Sequence, residues 1–122
     1  MLWELDNNRP IYLQLMERIQ QDIISGIYRP GDKLPSVRDL ALDASVNPNT
    51  MQKALVELER NGLVYSQRTS GRYITEDETL LNHVKHELVT SHIQEFLSQM
   101  TQLGYQEDEV LKLVIQELER RL

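Results

Sequence analysis

The sequence predicts a mostly α-helical fold with a small β-hairpin near its middle. Apolar residues recur at helical spacing up to about residue 60, and the period shortens to about two after Gly62. Two short runs rich in β-branched and aromatic residues, 63–67 and 72–75, flank a four-residue turn and so predict the hairpin. Three helices followed by a hairpin is the order of an N-terminal winged helix-turn-helix. Helical spacing then returns, which predicts two further helices.

Composition favours an ordinary globular protein. Of the 122 residues, 40% are hydrophobic and 26% are charged, which suits one domain with a short appendage. There is no cysteine, so disulfides and thiolate metal sites are excluded. No apolar stretch approaches the roughly 18 residues that span a bilayer, and the N-terminus does not resemble a secretory signal. We expect a cytoplasmic protein with no membrane segment.

The first helix is predicted over residues 10–25. Ile11, Leu15, Ile19 and Ile23 form a strict i+4 row on one face. Gly26 and the following Pro-Gly pair then provide a stop.

The next two helices are predicted from their capping residues. Ser36, followed three residues later by Asp39, resembles a capping box and starts a short helix over 36–43. Asn47 is a strong N-cap because Pro48 follows it at the first helical position. That third helix ends near Arg60, before an Asn-Gly pair, and the order is helix, turn, helix.

The remaining residues predict a separate unit, so the domain boundaries are 1–75 and 76–122. Two helices, over 77–101 and 106–121, form one layer that cannot bury its own apolar stripes. They must pack on the first domain or on a second copy, and we favour an antiparallel two-helix dimerisation element. The predicted dimerisation residues are Leu81, Val84, Leu88, Phe96, Leu97, Val110, Leu111, Val114 and Leu118.

Charge is distributed unevenly between these units. The net charge is −6, yet residues 1–75 carry nine basic and nine acidic side chains. Residues 76–122 carry four basic and ten acidic side chains and account for the whole excess. The negative total therefore describes the tail and does not argue against nucleic-acid binding by the first domain.

The third helix predicts a surface that binds DNA. With Met51, Ala54, Leu55 and Leu58 facing the core, the outward row is Asn49, Gln52, Lys53, Val56 and Arg60. Asn and Gln pair with adenine, and Lys reaches guanine or a phosphate. The other candidates for phosphate or minor-groove contact are Asn47, Thr50, Arg38, Arg68 and Arg72.

Four ordered motifs extend this interpretation: PIYLQL at 10–15, GIYRPGDKLPSVRDLA at 26–41, VNPNTMQKA at 46–54 and LERNGLV at 58–64. Together they resemble the N-terminal domain of the GntR family of bacterial transcription regulators. The short two-helix tail is similar to the YtrA-type subfamily, in which the tail is a dimerisation element. The resemblance also implies control of membrane-transport genes.

The resemblance implies a set of DNA contacts. They are Ser36, Arg38, Asn47, Asn49, Thr50, Gln52, Lys53, Ser70, Gly71 and Arg72. Two departures concern the turns: Ser45 stands where the family usually has glycine, and Thr69 replaces the first glycine of the wing. We leave the conformation of the wing tip open at this point.

Two functions remain under comparison. The first is a homodimeric regulator, most simply a repressor, on a two-fold symmetric double-stranded DNA operator. The second is a winged-helix adaptor that binds proteins, because a fold alone does not fix function. No catalytic constellation and no cofactor site are predicted, and an effector remains unknown. His83 and Glu87 share a helical face while His86 and His92 lie off it, so we predict no metal site.

Overall fold

The structure is a computed structural model and describes residues 3–122. Its element order confirms the predicted fold class. The elements are α1 (Ile11–Ile24), α2 (Val37–Ala44), α3 (Pro48–Arg60), β1 (Val64–Gln67), β2 (Gly71–Ile74), α4 (Glu78–Gln102) and α5 (Glu107–Arg120).

The first compact unit, here called the winged unit, extends to Val84 and has one apolar core. The predicted i+4 row of α1 supplies Leu15, Ile19 and Ile23, and α3 supplies its whole inward row. The hairpin closes the core with Val64 and Ile74, which face each other across the strand pair. This packing fixes the outward face of α3 beside the hairpin.

The hairpin is joined by a third segment that the sequence did not predict. Its two strands pair antiparallel, with Ser66 opposite Arg72. The loop before α2 then pairs with the other edge of β2: Gly31 N–H donates to the Ile74 carbonyl at 2.9 Å, and Leu34 N–H donates to the Arg72 carbonyl at 2.8 Å. Lys33 forms a bridge with Tyr73 within this pairing. Strand β2 is therefore paired on both of its edges.

Two turns lack a glycine that the resemblance leads one to expect, and the structure gives the backbone conformation of each. Ser45 ends α2 in the left-handed conformation, with φ 57° and ψ 45°. Within residues 3–122 it is the one non-glycine residue with positive φ, so Thr69 does not need glycine's freedom. At the wing tip the left-handed position falls on Gly71, at φ 114°.

The second compact unit, here called the tail unit, comprises residues 85–122. It contains most of α4 and all of α5. Gln106 N–H donates to Glu109 Oε1 at 3.1 Å, which starts α5 as a capping box requires. In this unit Val110 alone is buried. Its large exposed apolar residues are Val89, Ile93, Phe96, Leu103, Tyr105, Leu111, Leu113, Ile115, Leu118 and Leu122.

The boundary between the units lies later than predicted, between Val84 and Lys85 rather than between 75 and 76. Leu81 and Val84 cause the difference, because both side chains pack against the core of the winged unit. Leu81 and Val84 are among the residues predicted to form a dimer interface, as is Val110, which is buried within the chain. A role of the three in that interface stays a prediction. No helix in the described part of the chain is both long enough and apolar enough to cross a membrane.

Candidate nucleic-acid interface

The starts of α2 and α3 are both capped as predicted. Ser36 Oγ accepts a hydrogen bond from Asp39 N–H at 3.1 Å, and Asn47 Oδ1 accepts from Asn49 N–H at 2.8 Å. These bonds leave other N–H groups of each first turn facing outward, where an anion is stabilised. Ser36, Asn47 and Asn49 are exposed, and Thr50 is half-buried.

Arg38 lies in the first turn of α2 with an exposed side chain. Asp43, an acidic side chain on the same helix that could compete for it, instead accepts a hydrogen bond from Trp3 Nε1–H at 2.7 Å. Among residues 3–122 the guanidinium of Arg38 has no ion-pair partner. It is therefore available to a phosphate.

Lys53 is exposed on α3 but is oriented by α1. Its ammonium lies 4.0 Å from the centre of the Tyr12 ring, which is a close cation–π distance. The long side chain thus packs along α1 while its charge stays accessible. The sequence analysis did not anticipate this contact.

Gln52, on the same outward row, contacts the wing. Arg72 donates from Nη1 to Gln52 Oε1 at 3.4 Å and from Nε to Glu59 Oε1 at 3.1 Å. Ser66 Oγ donates to the same Glu59 oxygen at 2.7 Å. Donation from Ser66, and then from Arg72, lowers the pKa of Glu59 against the opposing effect of burial. The Arg72 side chain is only 18% exposed, so its charge is largely committed inside the protein.

The wing tip presents Arg68 as its exposed cation. Ser70 is half-buried and its hydroxyl lies 2.8 Å from the Tyr73 hydroxyl, so it stabilises the hairpin. Tyr73 in turn stacks on Tyr65, with ring centres 5.9 Å apart. These contacts hold the tip in one conformation without the missing glycine.

A groove of about 760 Å³ runs between the start of α2 and the wing. Ser36 lines one wall, and Arg68 and Gly71 line the other. Lys33, which the sequence analysis passed over, also lines it. A β-carbon added to Gly71 would come 3.2 Å from Lys33 Cε, so the side chain of Lys33 passes close to the backbone of Gly71. The charge of Lys33 in the loop before Ser36 was the one feature of the sequence that could have indicated it. Its position in the groove depends on the pairing of that loop with β2, which was not predicted.

Several of the predicted residues lie on adjoining elements of the winged unit. The contact of Gln52 with Arg72 joins α3 to the wing, and the groove joins the wing to α2. Two members differ from expectation in exposure: Ser70 and Arg72 are held within the protein. Within residues 3–122 no three or more His, Cys, Asp or Glu side chains are grouped so that they could hold a metal ion.

Three helices followed by a two-stranded wing place the first unit in the class of winged helix-turn-helix domains. The sequence pattern described as "Bacterial regulatory proteins, gntR family" matches residues 11–74, which is more than half of the chain. The chain belongs to the GntR family.

Curated relatives agree with this assignment. The regulator YhcF of Bacillus subtilis is 37% identical over 109 residues, which cover 89% of this chain and 90% of YhcF. The repressor YtrA of Bacillus subtilis is 46% identical over 71 residues, covering 58% of this chain. The match spans about half, 55%, of YtrA's own length.

Solved structures agree as well. A GntR family regulator from Listeria monocytogenes superimposes with a TM-score of 0.85 at 36% identity, covering 92% of this chain and 98% of that chain. The DNA-binding domain of AraR, solved in complex with operator ORX1, superimposes with a TM-score of 0.54 at 27% identity. That match covers 62% of this chain and 99% of the AraR domain.

Proposed function

We propose that this protein is a homodimeric, sequence-specific DNA-binding regulator that represses transcription from a two-fold symmetric operator. The observation that carries the proposal is the continuous surface formed by α3, the wing and the start of α2. Gln52 contacts Arg72, and Arg68 shares a groove with Ser36. Three elements separated in sequence therefore present one polar, cationic face.

This surface suits the docking geometry of a winged helix. The start of α3 enters the major groove, where Asn49, Gln52 and Lys53 reach base edges. Asn47, Thr50 and Arg38 contact phosphates, which position the protein without reading sequence. Arg68 at the wing tip reaches the neighbouring minor groove or its phosphates, with Ser70 and Gly71 shaping that tip.

Dimerisation is assigned to the tail unit. Leu111, Ile115 and Leu118 form an exposed row on α5, at spacings of four and three residues, and the exposed Leu122 follows just beyond the end of the helix. Phe96, exposed on α4, adds to the apolar surface, and Leu88, Leu97 and Val114 are half-buried. A surface of this kind on a stable protein marks an interface. A dimer that binds a two-fold symmetric operator presents its two recognition helices to major grooves about one helical turn of DNA apart, or a multiple of it.

The relatives support a repressor reading. YtrA is named as a repressor, and the AraR domain was solved on an operator. Control of membrane-transport genes remains a proposal that rests on the family resemblance. The adaptor alternative would need neither Asn49, Gln52 and Lys53 on α3 nor a cation on the wing.

The test is fluorescence-anisotropy binding to the DNA immediately upstream of the protein's own gene, with scrambled DNA as competitor. We expect saturable binding that weakens by roughly 10³-fold between about 50 and 200 mM salt, for a dimer that neutralises about six phosphates. Arg38→Ala should weaken binding to every sequence, and Gln52→Ala should reduce discrimination against the scrambled DNA. Arg29→Ala removes the same charge outside α2, α3 and the wing and is the matched control.

The outcomes separate the two candidate functions. Specific, salt-sensitive binding that Arg38→Ala weakens and Arg29→Ala leaves intact supports the regulator. Equal weak binding to both DNAs places the operator elsewhere and calls for selection from a random library. An absence of binding at low salt, in the library as well, would favour the protein-binding adaptor.

A further inference from the structure

Arg72 is a cation of the interface whose guanidinium is hydrogen-bonded to other side chains of the protein. Its Nε donates to Glu59 Oε1 at 3.1 Å, and its Nη1 donates to Gln52 Oε1 at 3.4 Å. Glu59 is fixed in turn by Ser66 Oγ, which lies opposite Arg72 on the paired strand. The guanidinium of Arg72 therefore joins the wing to α3, because it donates to both the Glu59 carboxylate and the Gln52 amide.

Chemistry determines which end of the Gln52 amide faces Arg72. A guanidinium has only donors, so the group that contacts it must be the amide oxygen and not the NH₂. Glu59 and Gln52 are seven residues apart, about two turns of α3, and so lie on the same face of the helix. Arg72 spans that interval. With its oxygen held toward the wing, Gln52 has its NH₂ directed away from Arg72.

This orientation affects what Gln52 can read. A free glutamine pairs with adenine through both ends of its amide, accepting from N6 and donating to N7. With its oxygen bonded to Arg72 and turned toward the wing, Gln52 directs its NH₂ to the base. The acceptors of the major groove are guanine N7 and O6, adenine N7 and thymine O4. Guanine alone offers two acceptors side by side, whereas the N7 of adenine stands beside an amino group that needs an acceptor, so an amide donor favours guanine.

We propose that Arg72, anchored by Glu59, is a positioning residue that orients Gln52 to present an amide donor to acceptor atoms of a base. This inference deepens the DNA-reading function proposed above and rests on it. It differs from the direct DNA contact that the family resemblance implies for Arg72. It also gives Glu59, an acidic residue on the recognition helix, a part in specificity.

The two roles for Arg72 predict opposite results when Glu59 is changed. If Arg72 contacted a phosphate, Glu59→Gln would release the guanidinium and strengthen binding to every sequence. If Arg72 positions Gln52, the same change loosens the amide and weakens discrimination at one base pair. The salt slope follows the number of phosphate contacts, and an Arg72 that positions Gln52 makes none, so the slope would stay the same.

The experiment uses the full chain. Wild type first selects its preferred site from a random duplex library, and anisotropy then measures binding to every single-base variant of that site. The base pair read by Gln52 is the one at which Gln52→Ala loses discrimination. Arg72→Ala and Glu59→Gln are measured at the same pair and across a salt series. Arg29→Ala, which removes an exposed arginine outside α2, α3 and the wing, is the matched control.

We expect wild type to prefer guanine at this position by roughly 10-fold, in the range of one good side-chain–base contact. Arg72→Ala and Glu59→Gln should each reduce that preference to less than about 3-fold without changing the salt slope. Arg29→Ala should leave the preference intact. Should Glu59→Gln fail to fold by circular dichroism, Glu59→Asp keeps the charge, withdraws the carboxylate and should give the same loss.

Two results would overturn the inference while leaving the regulator intact. One is an unchanged base preference in Arg72→Ala together with a salt slope lower by about one per protomer, as for a phosphate contact. The other is a wild-type preference for adenine that depends on Gln52. If wild type selects no sequence at all, the proposed function itself fails, and the inference falls with it.

Discussion

The winged unit buries its apolar residues in a core of its own, whereas the tail unit leaves most of its apolar residues exposed. In the described part of the winged unit, fourteen apolar residues form one closed core. In the tail unit Val110 alone is buried, and Leu103, Leu111 and Leu118 are each more than half exposed. The first unit therefore carries the apolar contacts needed for its own fold, whereas the second needs a surface to cover it.

The same contrast holds for charge. The sequence up to residue 75 balances its charges, and residues 76–122 hold ten acidic and four basic side chains. Glu107, Asp108 and Glu109 crowd the first turn of α5, where they favour the helix dipole. An acidic tail repels DNA, so the division confines DNA binding to the winged unit. The following predictions test this division of labour.

The largest effect is expected from charging the exposed row of the tail. Leu111→Glu with Leu118→Glu places four carboxylates in the proposed symmetric interface. Burial of a leucine contributes about 1.5–3 kcal/mol, so four lost contacts remove about 6 kcal/mol or more from association. Sedimentation at micromolar concentration should change from dimer to monomer, and binding to a two-fold operator should weaken with it.

The control for that variant is Leu42→Glu, which charges a leucine of the winged unit that is 70% exposed. It adds the same group to a surface with no assigned partner. If Leu42→Glu dissociates the dimer and the double tail variant does not, the assignment of dimerisation to the tail is wrong.

The next effect is a loss of stability in the winged unit. Leu58 is fully buried on the inward face of α3, and Leu58→Ala leaves a cavity that its neighbours cannot fill. We expect the free energy of unfolding to fall by about 2–5 kcal/mol in urea titrations. Leu113→Ala in the tail, where the side chain is 38% exposed, should cost much less when the protein is measured as a monomer. Equal costs would contradict the contrast between the units.

Helix positions could be predicted because their signals are local. The apolar row of α1 and the caps at Ser36 and Asn47 are encoded within a few residues each, and the predicted bounds differ from the observed ones by at most a residue or two. The pairing of the loop at Gly31 with β2 was not predicted. The paired stretch of the loop is too short to show the alternation of apolar and polar residues that indicates a strand. Only the docked hairpin creates that pairing.

The same distinction between local signals and long-range contacts applies to the site. Exposed residues such as Arg38 and Arg68 could be proposed as DNA contacts from sequence, since that proposal depends mainly on the element that bears them. The link from Arg72 to Gln52 joins positions twenty residues apart and exists only once the wing packs beside α3. The winged unit extends past the predicted boundary at residue 75 for a similar reason. The apolar stripe of α4 is continuous in sequence, but Leu81 packs against the core of the winged unit.

A smaller effect is expected at the turn of the helix-turn-helix. Ser45 holds a left-handed conformation, which costs a residue with a β-carbon roughly 1–2 kcal/mol. Glycine avoids that cost but loses more entropy on folding, so Ser45→Gly should stabilise the protein by about 0.5–1 kcal/mol. Ser25→Gly, at the right-handed C-cap of α1, is the matched control and should not stabilise. Destabilisation by Ser45→Gly would show that the serine side chain contributes more than its backbone strain costs.

The smallest effect concerns the carboxylate that joins the wing to α3. The Ser66 hydroxyl and the Arg72 guanidinium hold the pKa of Glu59 below its ordinary value despite the opposing effect of burial. Because the folded pKa is lower than the unfolded one, the ionised carboxylate stabilises the fold above about pH 4.3. That contribution is lost as the pH falls through the folded pKa.

The Glu59 side chain is 39% exposed, so solvent screening limits the contribution to roughly 0.2–1 kcal/mol. Urea unfolding of wild type and Glu59→Gln should therefore differ by that amount near neutrality, and the difference should shrink in acid. A difference that stayed constant into strong acid would mean that Glu59 acts through packing and not through its charge. The Gln52 orientation would then have to depend on the shape of the wing alone, and base discrimination in DNA binding would lose its link to this ion pair.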